Sequence, residues 1–406
     1  MLTKSDVHLI QDRYRDYSRK CSTRAAREES SGMNCRKYTL RPNMPILKKD
    51  QVLKCYHNKI QLNRGAYEDI MNDEKFLTEA TRTHRFLMMN ENTVPYMVVK
   101  GRKIPRMDLG STHEEADNIV AKHAILRGEE ADARIKVLAD DTDIFALLTY
   151  FYKKQNLTCP MVMQSPRSEG TTHDIKATVN HKPELSEKVL AIHVSSGMDT
   201  AAPAHTIAKI KAVNNSTKVA FSKLGYPDSS IEDVVKECTV FLAACYGVKY
   251  VENMTMTDCR LKVWAKKTGK TIKAAPKLDK LPPTTEAAFE NFMREHIQLC
   301  DWYSALDLDP PDMDPEEFGF DADHVNKVLN PRPIRSDVEV VPENILKLIS
   351  CGCNAAQSCK TGRCTCTGTP ISCSIFCACG GGDDCYNPHN KKPADDSDSE
   401  NDEPDN

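Results

Sequence analysis

Ser111-Thr-His-Glu-Glu-Ala-Asp-Asn118, followed one helix later by Lys136-Val-Leu-Ala-Asp-Asp-Thr-Asp143, places a dense set of carboxylates at two element boundaries. The first stretch has the features of a helix start. Thr112 is a natural N-cap, Glu115 stands three residues on as in a capping box, and Ala116, Ile119, Val120, Ala124 and Ile125 form an apolar stripe at helical spacing. Glu115 and Asp117 then fall in the first turn. Ile135 to Ala139 is a short apolar run bounded by charge, the pattern of a buried strand, and Asp140, Asp141 and Asp143 follow at its C-terminal end. Ile144 to Tyr152 is almost entirely apolar and predicts the next helix. In open α/β sheets ligands collect at the C-terminal ends of strands, so carboxylates placed there are candidates for holding a metal ion.

Working outward, Asp6 to Ile10 predicts a short strand followed by Asp12 and a very basic segment, Arg13, Arg15, Arg19, Lys20, Arg24 and Arg27. Ser30 to Leu47 is polar and contains proline, which suits a loop or crossover, and Lys48 to Leu62 predicts a helix. Val94 to Val99 and Thr158 to Met163 are further strand candidates. The apolar run Val189 to Val194 leads into Ser195-Ser-Gly-Met-Asp-Thr200. Helical patterns cover Ala204 to Ala212, Ile231 to Tyr246 and Glu286 to Leu306. Arg260 to Lys280 holds eight Lys or Arg and one acid, either a solvated helix and linker or a phosphate-contacting surface. Pro310 to Pro342 reads as a Pro-rich linker.

A length of 406 residues suggests two or three folded units, and 40% apolar residues suffice for a core. The formal net charge is −3, but the last fourteen residues carry seven acids and no Lys or Arg. Setting those seven charges aside leaves +4, a balance that permits a nucleic-acid partner without demanding one. The acidic end itself reads as a disordered, solubilising tail. Without an apolar run of about 18 residues, or the apolar core of a signal peptide, the chain is expected to be neither membrane-spanning nor secreted.

Nine of the seventeen cysteines crowd into Cys351, Cys353, Cys359, Cys364, Cys366, Cys373, Cys377, Cys379 and Cys385; the other eight are scattered singly. This Cys-x-Cys spacing is the most specific signal in the chain. Nine thiolates complete three tetrahedral zinc sites, about three ions, if three of them bridge. A run this short and polar lacks a core of its own, so metal would supply its folding energy. Disulfides are the alternative, weakened by the odd count and the missing secretory signal. The spacing resembles the tesmin-type CXC domain, a zinc-cluster module that binds DNA in several chromatin proteins, and this implies DNA binding and a nuclear location. Where that family places a minor-groove aromatic, this chain has Arg363. Arginine also suits the minor groove, so Lys360 and Arg363 are the candidate DNA contacts, against a reading as plain solvated charges.

The acidic stretches resemble the PIN-like nucleases of the flap-endonuclease class over roughly residues 5 to 245. Glu115-Ala116-Asp117 matches the family's first carboxylate pair, Asp141-Thr142-Asp143 its Asp-x-Asp after a hydrophobic strand, Gly197-Met198-Asp199 its later Gly-x-Asp, and Asp12 the acid that ends an early strand. The resemblance implies a PIN-like parallel sheet flanked by helices, and a catalytic set of Asp12, Glu115, Asp117, Asp141, Asp143 and Asp199 that binds Mg²⁺ or Mn²⁺. Clustered carboxylates of this kind need cations, and hard oxygen ligands suit those two metals. Two departures stand out. The family's first strand, with a further metal-binding Asp, has no counterpart here, as if the nuclease domain were incomplete; and Ala201-Ala-Pro-Ala-His205 follows Asp199 where the family has a Gly-rich DNA-gripping hairpin. Each acid also has an ordinary role, Glu115 in a capping box, Asp141 and Asp199 as caps.

The expected organisation is therefore a partial PIN-like domain over 1–250, a basic helical region over 251–308, a Pro-rich linker over 309–345, a zinc-cluster module with little regular structure over 346–390, and an acidic tail over 391–406. The combination is similar to multi-copy animal proteins with mobile-element ancestry. The expected function is a metal-dependent nuclease tethered to DNA by its zinc module. The first alternative is a non-catalytic DNA or chromatin binder on a nuclease-like scaffold, and a third reading is an incomplete gene product without stable activity.

Overall fold

The computed structural model describes residues 6–20, 22–24, 36–41, 44–45, 48–53, 55–82, 84–89, 92–167, 170–202, 207–268, 280–335, 350–354, 359–369, 371–373, 377–381 and 385–390. The acidic tail, 269–279 of the basic stretch and 336–349 of the expected linker lie outside the described residues. The chain divides into two compact units, Met1–Arg335 and Ser336–Asn406.

The first unit is a mixed α/β structure. Strand β1 (Asp6–Ile10) is followed by helices α1 (Lys49–Leu53), α2 (Tyr56–Asn72) and α3 (Glu74–Ala80), which form the crossover to β2 (Arg85–Met89) and allow β1 and β2 to pair in parallel. Strands β3 (Tyr96–Val99) and β4 (Arg102–Pro105) continue the sheet antiparallel, in the order β1-β2-β3-β4. The β3–β4 link is a two-residue turn, Lys100-Gly101, with φ of 48° and 75°. Positive φ at both positions matches the twist of a tight hairpin, and a Cβ at Gly101 would stand 2.7 Å from the Thr78 hydroxyl. Helix α4 (Ala116–Gly128) packs on both β1 and β5 (Ile135–Leu138). Helix α5 (Thr142–Lys154) then leads to β6 (Met161–Gln164), parallel to β5, and β7 (Thr172–Asp174) turns back antiparallel.

The sheet thus differs from the expectation of one parallel layer. Two small mixed sheets stand in its place, and no single PIN-like sheet is formed by the described residues. Short links are the reason: β2-β3-β4 and β6-β7 are joined by loops too short for a crossover, and these can only make antiparallel pairs.

The remaining helices are α6 (Ile175–His181), α7 (Pro183–Ser195), α8 (Lys209–Asn215), α9 (Ile231–Cys245), α10 (Met256–Thr268) and α11 (Thr285–Tyr303). One hydrophobic core runs from Ala121 to Ala305, with Phe151, Tyr152, Phe241 and Trp302 fully buried. No boundary therefore falls at 250, because the helices expected to form a separate region complete this core. The segment read as a linker from residue 309 also changes character: β8 (Phe320–Asp323) and β9 (Val328–Pro331) pair antiparallel, and Phe320 and Leu329 pack on Ile297. Side chains anchor it as well, Arg294 donating to the carbonyls of Gly319 and Arg332. Proline content had obscured a two-residue alternation too short to register.

In the second unit, described over parts of 350–390, the regular structure includes helix α12 (Thr365–Gly368) and a 3₁₀ turn at Pro388–Asn390. Its interior is made of thiols, with Ile371 packed against them.

Candidate metal centres

Two helices of the first unit begin at the same place. Asp141 is the N-cap of α5, its side chain accepting from the Asp143 N–H at 2.9 Å, and Glu115 occupies the N-cap position of α4 with Asp117 in the first turn. Thr112, the expected cap, is instead engaged elsewhere: its hydroxyl donates to the Asp309 carboxylate at 2.7 Å, and no side chain of α4's own start caps it. The cap comes from a distance, the Ala116 N–H donating to Asp12 Oδ1 at 3.0 Å. Converging helix N-termini favour negative charge, and Asp117, Asp141 and Asp143 each offer an oxygen within a group whose ligand atoms all lie within 4.8 Å of one another. Asp141 is exposed while Asp143 is buried, so the group is open on one side.

A cation of the chain stands inside this cluster. Lys20 Nζ lies 3.1 Å from Glu115 Oε2, 3.4 Å from Asp117 Oδ2 and 4.0 Å from Asp143 Oδ2. Burial opposes the charge on Lys20, yet the Glu115, Asp117 and Asp143 carboxylates outweigh it and raise its pKa. Burial raises Glu115 and pushes Asp117 up to about 8 against the pull of Lys20, with Glu115, Asp141 and Asp12 adding to the rise. Asp143 goes the other way: burial notwithstanding, a hydrogen bond from His193 and the charge of Lys20 hold it below the usual range. His193 Nε2 is 2.8 Å from Asp143 Oδ1, and its ring stacks on Trp302.

The six sequence-predicted acids are not one constellation. Asp117, Asp141 and Asp143 converge and Glu115 meets them through Lys20, while Asp12 and Asp199 do not join the three-carboxylate group. Asp12 caps α4, and Asp199 follows helix α7, not a strand, its backbone carbonyl accepting from the Thr23 hydroxyl at 2.6 Å. Four residues of the basic segment, Arg13, Arg19, Lys20 and Arg24, turn inward, whereas Arg15 is exposed and Arg27 lies outside the described residues. Arg13 donates to the carbonyls of Ser111, His113 and Asn92, Arg19 pairs with Asp301 at 2.6 Å, and Arg24 pairs with Glu114 at 3.3 Å. Asp301 is also 2.8 Å from His113 Nδ1; although burial opposes ionisation, Arg19 and His113 bring it down to about 2.

The second unit gathers its cysteines. Cys351 Sγ is 3.9 Å from Cys359 and Cys373 and 3.8 Å from Cys379; Cys364 and Cys373 are 4.0 Å apart, Cys366 and Cys377 3.6 Å, Cys379 and Cys385 3.8 Å. A tetrahedral zinc with bonds of about 2.3 Å has sulfur–sulfur edges of about 3.8 Å, whereas a disulfide needs about 2.05 Å. All nine are free thiols, and seven of them, all but Cys377 and Cys385, fall into three four-thiol groups that share Cys351. Asn387, fully buried, donates to Cys373 Sγ at 3.2 Å and to the Ile371 carbonyl at 2.8 Å. Such outer partners orient ligands and stabilise thiolate. Cys364 is drawn down to about 6, burial being outweighed by the backbone and hydroxyl of Thr367. Lys360 and Arg363 are both exposed. The module can bind metal through this Cys-rich cluster.

No family model, curated protein or solved structure matches this chain. Among the described residues, no helix is long and apolar enough to cross a membrane. Sequence reasoning missed Lys20, His193, Asp301 and Asn387. His193 alone had a local signal, as the polar residue in an apolar run; the others act on partners far away in sequence.

Proposed function

We propose that this chain is a metal-dependent phosphodiesterase acting on DNA, with a zinc–thiolate module that holds it there. The observation that carries the reading is the convergence of Asp117, Asp141 and Asp143 at two helix starts, oxygen donors of a hardness that suits Mg²⁺ or Mn²⁺. A divalent ion held there would supply a Lewis acid for the phosphodiester and acidify a water. The chain's own groups do the positioning: His193 fixes the rotamer of Asp143, Asp141 faces solvent where a phosphate would arrive, and Glu115 anchors Lys20. In the module, nine cysteines would take about three zinc ions, and exposed Lys360 and Arg363 would meet the DNA backbone or minor groove, a role that calls for a nuclear location.

One observation favours a second reading. Lys20 already neutralises part of the acidic cluster, as it would in a non-catalytic DNA-binding scaffold. Mn²⁺-dependent cleavage of labelled single-stranded, duplex and flap DNA by the zinc-loaded chain decides between them. The phosphodiesterase reading expects cleavage that falls to background in the Asp141→Asn/Asp143→Asn variant while DNA binding stays. Binding without cleavage establishes the scaffold, and cleavage that survives the double change overturns the site.

A further inference from the structure

We propose that Lys20 is a built-in cation that fills one of two cation positions in the acidic cluster and restricts it to a single divalent ion. This rests on the reading that the cluster takes such an ion. Lys20 Nζ and the Asp117–Asp141–Asp143 group share two carboxylates, Asp117 and Asp143. Paired divalent ions in hydrolytic sites sit ~3.5–4 Å apart and share bridging carboxylates. Here an ion held by Asp117, Asp141 and Asp143 would have the Lys20 ammonium as its neighbour across the same two groups, where the second ion would otherwise stand.

The ammonium is not a loose surface charge. Its side chain is 13% exposed. Both flanks of its segment are tied down: Arg19 by Asp301 and the Ile297 carbonyl, Thr23 by the Asp199 carbonyl, and Arg24 by Glu114 and Ser18. The nearest carboxylate, Glu115 at 3.1 Å, is buried and outside the three-acid group, so Lys20 has an anchor that a metal ion need not compete for. A third acid that would normally help with a second ion is thereby used on the lysine. The surviving site is open at exposed Asp141 and closed at Lys20.

The test is Mn²⁺ stoichiometry of the full, zinc-loaded chain, read from the free-ion paramagnetic resonance signal, for wild type, Lys20→Met and Lys20→Arg. One ion is expected in wild type and Lys20→Arg, and two in Lys20→Met, where the carboxylates lose their internal counter-charge. Two ions in wild type overturn the proposal and leave the metal site standing. One ion of unchanged affinity in a folded Lys20→Met also overturns it. No Mn²⁺ in any of the three, with zinc retained, sinks the metal reading of the cluster and this inference with it. Should Lys20→Met fail to fold, Lys20→Gln is read by the same criterion.

Discussion

His8 on β1 and His123 on α4 meet through their Nδ1 atoms at 2.9 Å, with ring planes at 84°. Burial pushes His8 down to about 4, helped by Arg127, and burial pushes His123 down to about 3, helped by His8 itself. Arg85 and Arg106 also face His8, with Asp6 as the opposing charge. Both rings are therefore neutral in the fold, while an unfolded chain protonates them near 6.5. Between those values the unfolded state binds more protons, so stability is complete above about pH 6.5, falls as pH drops, and levels off near the folded pKa values. Urea midpoints measured from pH 7 to 4 should show this decline, and His123→Gln should flatten it; a wild-type slope that His123→Gln leaves unchanged would remove the pair as its origin. In β1 the apolar Val7 and Leu9 are the exposed residues, so the local pattern gave no sign that His8 faces inward. Its partner lies 115 residues away and left no local trace.

Among the elements, α5 was the easiest to read and α4 the most instructive. The apolar run of α5 and its Asp141 cap are local, and both are present as read. The start of α4 is not local, because Thr112 is drawn to Leu308 and Asp309 and the helix takes its cap from Asp12. Removing a cap acceptor costs about 1 kcal/mol. Asp12→Ala should lower urea stability by about that amount, and Asp12→Asn, which keeps an acceptor oxygen, by less. Neither should alter Mn²⁺ binding, since Asp12 stands outside the three-acid group; loss of the ion in Asp12→Asn would return Asp12 to the ligand set. Helix α11 shows the converse: it buries Glu290, Arg294, Glu295, His296, Gln298 and Asp301 as well as its apolar face. Tertiary partners cover its polar residues, among them Arg332 on Glu290 and His113 on Asp301.

For the whole molecule, the two units rest on different physics. The first has a continuous apolar core, and the second has thiols at its centre. A module of that kind loses its fold with its metal. The zinc content of the purified chain should be about three per chain. A strong chelator should make the nine module cysteines reactive to a thiol reagent, while Cys238, Cys245, Cys259 and Cys300, buried in the first unit's core, stay protected and its circular dichroism persists. Zinc below one per chain, or module thiols that chelation does not release, would refute a zinc-held interior.

Legible from residues alone were the features with short-range causes. The strand β1, the strand-and-helix pair before and after Asp141, the long helices α9 and α11, and the Cys-rich cluster all follow from periodicity, capping and spacing within a few turns of chain. Long-range partnership settled the rest: how the strands divide between two sheets, the continuity of the core past residue 250, the hairpin within the Pro-rich stretch, the inward turn of Arg13, Arg19, Lys20 and Arg24, and which acids share a site. Lys20 is 95 residues from Glu115 and 123 from Asp143. No window of sequence contains such a contact, because the desolvation and charge that fix it exist only once the core has brought those segments together.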